Sequence, residues 1–427
     1  MDALVLIGSF FLLMIVGVPI AYSLGLASLL AALWIGLPLD AVMIQIGSGV
    51  AKFSLLAIPF FVLAGAIMAE GGMARRLVAF ASVLVGFVRV GLSLVNILAS
   101  TFFAGISGSA VADTASIGSA LIPEMERKGY PRDFATAVTV SGSVQAIVLP
   151  PSHNSVIYSL AAGGSVSIAA LFMAGVLPGL LLGVILSILC IYKARQNNYP
   201  VGERIALRQA LRICAEAMWG VVTMVIILGG ILTGVFTANE SASIAVLWAF
   251  FVTMFIYRDY KWRELPKLIH RTVKTVTIVM ILIGFAASFG YLMTIMQIPL
   301  KVTEFFATVS QNKAVILLLI NGMLLVLGCL MDMSPLILIC TPVLLPVVKS
   351  LGVDPVHFGM IMLLNLGIGL ITPPVGTVLF VGSAIGGVKI GVLVRAMVPF
   401  FVAMFVVLMM VTYIPALSLW LPRLLGL

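Results

Sequence analysis

The chain has 427 residues, of which 62% are hydrophobic and 9% charged, with a formal net charge of +9. A soluble chain carries roughly three times that charge fraction, so the composition excludes a soluble enzyme or a nucleic-acid-binding module. The long apolar runs point to an all-α polytopic membrane protein and not to a β-barrel, whose segments would be short and alternating.

The N-terminus lacks a basic leader and an A-x-A-like cleavage site, so Met1–Phe11 is expected to open a retained first helix. Apolar segments follow in chain order at about 3–19, 20–36, 53–70, 134–160 and 168–192, then at about 217–238, 241–257, 276–293, 358–385 and 393–421. These predict about ten transmembrane helices. Two further stretches, about 90–123 and 313–346, are apolar but interrupted centrally by small and polar residues. Each divides into limbs of about 15 residues, which reach only ~22 Å of a core ~30 Å thick. Both are expected to be re-entrant hairpins.

The segments fall into two copies. Pro123, Pro150 and Pro151 match Pro346, Pro373 and Pro374 at a constant offset, and Gly105, Gly129 and Gly163-Gly164 match Gly328, Gly352 and Gly386-Gly387 at the same one. A run of fixed-offset prolines and glycines marks an internal repeat. The expected division is 1–192 for the first repeat, 193–216 for an amphipathic cytoplasmic linker, and 217–427 for the second. In the linker, Ile205, Leu207, Leu211 and Ile213 lie among arginines, as in a helix resting on the membrane surface. Segments 77–88 and 300–311 hold equivalent places before the hairpins and are candidates to lie flat as well.

With the linker on the cytoplasmic side, that face collects Arg75, Arg76, Arg89, Arg127, Lys128, Arg132, the 258–274 loop, Lys389 and Arg395. The opposite face holds Lys52, Lys301, Lys313, Lys349 and Arg423. This is a positive-inside bias, and the basic residues beside the spans suit anionic membrane lipids better than nucleic acid. Each copy makes an odd number of crossings, so the second is inverted relative to the first.

Chemistry concentrates at the interruptions. The first hairpin reads GISGSAVADTASIG at its tip, with Asp113; the second reads GCLMDMSPLILICTP, with Asp332. An aspartate at mid-bilayer depth costs about 2.5–3.5 kcal/mol, so it requires a partner or a water-filled cavity. The competing reading is that Ser and Gly only permit close helix packing. After each hairpin comes a segment broken in its middle, VSGSVQAIVLPPSHNSVIYS and LNLGIGLITPPVGTVLFVGS. Paired prolines remove donors and expel the preceding residue from helical geometry. The carbonyls so freed are tolerated only in a protein-lined cavity, where they and nearby hydroxyls suit a hard cation such as Na+.

The motifs SGSAVADTASIGSALIPEM, LPPS, TPPVG and MDMSPLILICTPVLLPV resemble the large membrane subunit of tripartite ATP-independent periplasmic (TRAP) transporters, over essentially the whole chain. That resemblance implies a multi-pass protein of the bacterial inner membrane, of the ion-transporter type with an elevator mechanism. It implies sodium as transported co-ion and a small organic anion, a carboxylate or acidic sugar, as substrate. The implied partners are a periplasmic substrate-binding protein and a separate small four-helix membrane subunit. Carried over by motif, it places sodium ligands at Ser107, Gly108, Ser109 and Ser143, and at Asp332, Ser334, Gly367 and Thr372. Substrate contacts are expected at Asp113, Gln145, Asn154 and Thr377; Gln145, His153 and Asn154 depart from the family's usual residues, and a packing variant is the other reading of Gln145 and His153. A stand-alone sodium/anion symporter without a binding protein is the alternative. No motif of an enzyme is present: there is no HExxH, no G-x-S-x-G, and the four cysteines are scattered. His270 and His357 are expected in solvated loops, and Glu240 in a solvated turn.

Overall fold

The computed structural model describes residues 2–88, 91–197 and 205–427; Arg89, the residue at 90 where the first hairpin was expected to open, and linker residues 198–204 lie outside them. Among the described residues every regular element is helical. The first half contains α1 (Asp2–Ile15), α2 (Ile20–Trp34), α3 (Leu39–Val50), α4 (Ala57–Glu70) and α5 (Met73–Val85). It continues through the hairpin α6 (Gly91–Ser107) and α7 (Ala110–Arg127), the broken segment α8 (Arg132–Gly142), α9 (Gln145–Val148) and α10 (His153–Ala161), and α11 (Ile168–Asn197). The second half runs through α12 (Leu207–Leu232), α13 (Ala238–Phe251), α14 (Leu265–Ile295) and α15 (Ile298–Val309). The hairpin α16 (Lys313–Leu330) and α17 (Met333–Ser350), the broken pair α18 (Pro355–Gly369) and α19 (Thr377–Gly386), and α20 (Ile390–Tyr413) and α21 (Ala416–Leu424) complete it. Among the described residues eight helices are long and apolar enough to cross a bilayer, or nine counting the α8–α10 pair, which bends by 48°.

The repeat is visible in three dimensions. Gly129 and Gly352 both take positive φ, +87° and +68°, in the turns that link a hairpin to its broken segment. That conformation strains any residue with a Cβ, which is why glycine stands at both. Pro150–Pro151 and Pro373–Pro374 are both cis. The hairpins reverse at Gly108-Ser109 and Met331-Asp332, and each tip touches the middle of the adjacent broken segment: a Cβ on Gly108 would lie 2.5 Å from the Pro151 carbonyl oxygen, and the Val375 N–H donates to the Cys329 carbonyl at 3.0 Å. Both tips therefore end inside the fold, although each limb of the second hairpin is itself among the eight helices long and apolar enough to cross. The limbs of 17 and 18 residues are somewhat longer than expected.

The halves interlock. The second limb of each hairpin packs on the far half of the other repeat's broken segment, α7 on α19 and α17 on α10. Each first limb is stitched to its own broken segment by a buried asparagine. Asn96 Nδ2 donates to Thr139 Oγ1 at 2.7 Å, and Asn365 Nδ2 donates to Asn321 Oδ1 at 2.7 Å. Around this core, α2 and α3 pack on α14, α4 on α13, and α12 on α5 and α13, forming an outer frame.

Polar contacts sort the loops onto two faces as the charge pattern requires. On one, Arg75 and Arg76 meet Asp259, Glu70 pairs with Arg271, and Arg132 meets Glu126. On the other, Asn239 Nδ2 donates to the Phe53 carbonyl at 2.7 Å, and Lys313 reaches the Gly352 carbonyl at 3.4 Å.

Several expectations are corrected. Leu207–Glu216 is not a separate surface helix; it continues without a break into α12, 26 residues or ~39 Å long, because no Gly or Pro interrupts 207–219. Leu207 and Leu211 remain exposed. His357 is not solvated but 2% exposed in the first turn of α18, its ring nitrogens 2.6 Å from Ser418 Oγ and 3.3 Å from the Thr412 carbonyl oxygen. His270 is exposed, on helix α14 and not in a loop. Glu240 is exposed and closes a capping box with Thr237 at the start of α13, a structural role. The first two apolar segments form helices of only 14 and 15 residues, ~21 Å each, antiparallel, with Trp34 Nε1 donating to Asp2 Oδ1 at 3.2 Å. The helix α3 was not foreseen, since Asp40, Gln45 and Ser48 dilute its apolar character.

Candidate functional site

At the first tip, Gly108 has φ +57°, which turns the chain from α6 into α7. Ser109 then caps α7, its side chain accepting from the Ala112 N–H at 3.3 Å. Ser107 is buried, and the frame helix α4 comes close behind it: a Cβ on Gly65 would lie 3.2 Å from the Ser107 carbonyl oxygen. Facing the tip, the chain is extended at Leu149 and again at Ser152 before α10 starts. The Pro151 carbonyl is aimed at the tip. Within the next four residues, Ser152 Oγ, Asn154 Oδ1 and Ser155 Oγ are buried with no hydrogen-bond partner. Buried polar atoms are nearly always bonded, so a group of unsatisfied oxygens beside an opened backbone is the chemistry of a cation or polar-ligand site.

A layer behind this tip holds other expected residues. Ser143 Oγ donates to the Val140 carbonyl at 2.8 Å and does not face Gly108. Asp113 is fully buried on α7; its Oδ2 accepts from Ser100 Oγ at 2.8 Å, while Oδ1 and the neighbouring Thr114 Oγ1 are unpartnered. Gln145 is fully buried against α6 and α11. Its oxygen accepts from Thr101 Oγ1 at 2.7 Å, and its nitrogen donates to the Gly142 carbonyl at 3.1 Å and the Ile97 carbonyl at 3.4 Å. Its hydrogen-bonding groups are therefore engaged within the protein.

The second tip is built differently. Met331 is extended, and Asp332, exposed as a residue, holds the capping position of α17 without a side-chain capping bond. Ser334, two residues on, is buried. Opposite, Gly328 and Gly369 approach so closely that a Cβ on Gly369 would lie 2.7 Å from Gly328 Cα. Thr372 Oγ1 donates to the Ile368 carbonyl at 2.7 Å, and Thr377 Oγ1 is buried without a partner. The Leu370 and Thr372 carbonyl oxygens crowd Gly376, each 2.8 Å from where its Cβ would be.

The two breaks meet. A Cβ on Gly367 would lie 3.0 Å from Ile147 and 3.2 Å from Val144, so the second broken segment rests on the first at the centre of the molecule. The structure thus brings Ser107, Gly108 and Ser109 together with 151–155, and Asp332 and Ser334 to the second tip beside the 370–377 break, with Gly367 between the two halves. It places Ser143, Gln145 and Asp113 in the packing behind the first tip. Sequence reasoning missed Ser100, Ser152 and Ser155 as unsatisfied or bonded polar groups. The LPPS motif carried a signal for Ser152 alone. Among the described residues no group of three His, Cys, Asp or Glu side chains converges, and the oxygens on offer are carbonyls, hydroxyls and one carboxylate.

Residues 7–417 match the family model described as "Tripartite ATP-independent periplasmic transporter, DctM component". A protein of Salmonella typhimurium, "Uncharacterized protein YgiK", is 46% identical over 99% of this chain and 97% of its own length. The "C4-dicarboxylate TRAP transporter large permease protein DctM" of Pseudomonas aeruginosa is 43% identical over 88% of this chain and 87% of its own. Among solved structures, the YdaH transporter of Alcanivorax borkumensis, described as having an unusual topology, superposes with a TM-score of 0.59 over 90% of this chain and 88% of its own; at 16% identity this is a likeness of fold alone.

Proposed function

From the premise that this chain belongs to the DctM family of TRAP transporter large permeases, we propose that it performs sodium-coupled uptake of a small organic anion delivered by a periplasmic binding protein. The family membership makes it a multi-pass transport protein of the bacterial inner membrane and not an enzyme. Relatives are named for a C4-dicarboxylate, for isethionate and for sialic acid, which share an anionic carboxylate or sulfonate on a small polar body. One of them is named as a DctMQ permease, and this chain spans 66% of it.

The observation that carries the reading is the paired contact of hairpin tip and opened backbone at the meeting point of the two repeats. At the first, the Pro151 carbonyl with the Ser107, Ser152 and Asn154 oxygens offers neutral, hard ligands that suit sodium. At the second, the Asp332 carboxylate with the 370–376 carbonyls, the Thr377 hydroxyl and Ser334 offers a further set. Sodium at both tips neutralises oxygens that otherwise face one another across the centre, and the anion then binds between two positive charges. Asn154 and Thr377 stand at the starts of α10 and α19, whose N-termini favour a negative group. Gln145 braces the first break from behind, and Asp113 supports the tip through Ser100. Movement of the interlocked core against the outer frame carries the loaded site across, as in an elevator.

The test is uptake into proteoliposomes holding this chain with its small subunit, supplied with loaded binding protein. An inward sodium gradient drives accumulation, and replacing sodium by potassium abolishes it. Ser109→Ala and Asp332→Asn each raise the half-saturating sodium concentration. Unchanged sodium activation in both variants would remove the two tip assignments, and uptake without any binding protein would favour a stand-alone symporter.

A further inference from the structure

Two cavities of similar size flank the core, one towards each face, at places related by the internal repeat. One, about 380 Å³, lies between the frame residues Glu70 and Arg75 and the second limb of the first hairpin at Ala115 and Ser119. The other, about 350 Å³, lies between α3 and α14 of the frame and the second limb of the second hairpin at Leu338 and Pro342. Leu338 and Pro342 are the repeat counterparts of Ala115 and Ser119, at the offset that relates the double prolines. Their chemistry differs. On the arginine-rich face the cations already have carboxylate partners: Glu70 accepts from Arg271 and Tyr260, and Arg75 and Arg76 share Asp259. The opposite cavity contains Lys52 and no carboxylate, and adds Gln45 and Tyr291. Lys52 has no carboxylate within 4.0 Å among the described residues. The Gln45 amide nitrogen and the Tyr291 hydroxyl have no hydrogen-bond partner there either, Gln45 only receiving a bond from Ser48 at 3.4 Å. All three free groups are donors or cationic. The wall that carries them is firm, since Gly49 and Gly284 let α3 and α14 touch.

We propose that this cavity is a receiving site for the transported anion, in which Lys52 pairs with a carboxylate or sulfonate and Gln45 and Tyr291 donate to it before the solute reaches the hairpin tips. This rests on the transport reading above. A lone cation in a recess with no internal counter-charge concentrates anions at that mouth, whereas the partnered cations of the opposite cavity do not, so capture is favoured from one side. In this scheme Lys52 touches the solute directly but only transiently, before the solute moves on.

Two measurements test it on the full complex in membranes. First, Lys52→Gln raises the half-saturating anion concentration about tenfold with the maximal rate within twofold, Lys52→Arg restores it, and Tyr291→Phe gives a smaller shift. Second, a membrane-impermeant amine reagent labels Lys52 in the absence of binding protein, and succinate, isethionate or N-acetylneuraminate protects it, whichever of them the uptake assay selects. Unaltered concentration dependence in Lys52→Gln, or labelling indifferent to all three anions, overturns the proposal. Protection of Lys52 in a preparation that accumulates no anion would refute the transport reading while upholding the receiving site.

Discussion

Replacing Gly108 by alanine probes the first tip directly. The residue sits at φ +57°, where a side chain costs about 1–2 kcal/mol. A Cβ there would also lie 2.5 Å from the Pro151 carbonyl oxygen, about 1 Å inside ordinary contact, and backbone cannot yield as a flexible side chain would. The tip must therefore withdraw from the break, and the oxygens on the two sides no longer gather round one point. The backbone penalty burdens the free and the loaded tip alike and lowers stability; if sodium holds that point together, only the enforced withdrawal from Pro151 separates the two states, and about 1–2 kcal/mol of it appears as a loss of roughly 5- to 30-fold in sodium affinity. The assay is the sodium dependence of initial uptake, with thermal unfolding of the purified protein followed in parallel. Gly129→Ala is the control: it carries the same backbone penalty, φ +87°, but nothing lies within 4 Å of its Cβ. It should lower stability by about 1–2 kcal/mol and leave the sodium dependence alone. Wild-type sodium dependence in Gly108→Ala, or an equal shift in Gly129→Ala, would refute the reasoning.

Three further outcomes are expected. Gln145→Leu takes the side-chain donor from the Gly142 carbonyl and leaves Thr101 bonded only to the Ile97 carbonyl, so it lowers thermal stability by about 1–2 kcal/mol without changing which anion is preferred; a changed preference in competition uptake would put Gln145 in direct contact with substrate. Asn321→Leu removes the side-chain bonds to Asn365 and Thr412, leaving Asn365 only the backbone carbonyl at 321, and destabilises the second hairpin by about 1–2 kcal/mol, read as faster proteolysis within 313–350. Glu240→Gln weakens the capping box of α13, lowers stability by no more than about 1 kcal/mol, and leaves the sodium and pH dependence of uptake unchanged; a shift in either would give Glu240 a coupling role.

The hairpins, breaks and repeat were legible because they are written in residues whose effect is local. Pro150-Pro151 and Pro373-Pro374 interrupt a helix in any surroundings, and Gly129 and Gly352 turn the chain without help from neighbours. Ser107–Ser109 and Asp332 could be assigned to tips for the same reason. What could not be read depends on partners distant in the chain. Nothing beside His357 signals that Ser418 and Thr412 enclose it, and nothing beside Gln145 signals that Thr101 occupies its oxygen. The start of α12 misled for a different reason: an amphipathic stretch with arginines has the same composition whether it lies on the membrane or simply extends a span.

The asparagine stitches have a consequence for how the molecule can move. Parting α6 from α8, or α16 from α18, would bare amide groups in a medium that offers no water to receive them. Slippage is thereby forbidden inside each hairpin-and-break unit and directed to its outer boundary, where Gly65 meets the tip and the two recesses already separate wall from cargo bay. If the core moves against the frame as proposed, its interior travels as a sealed parcel, and lubrication belongs to its perimeter.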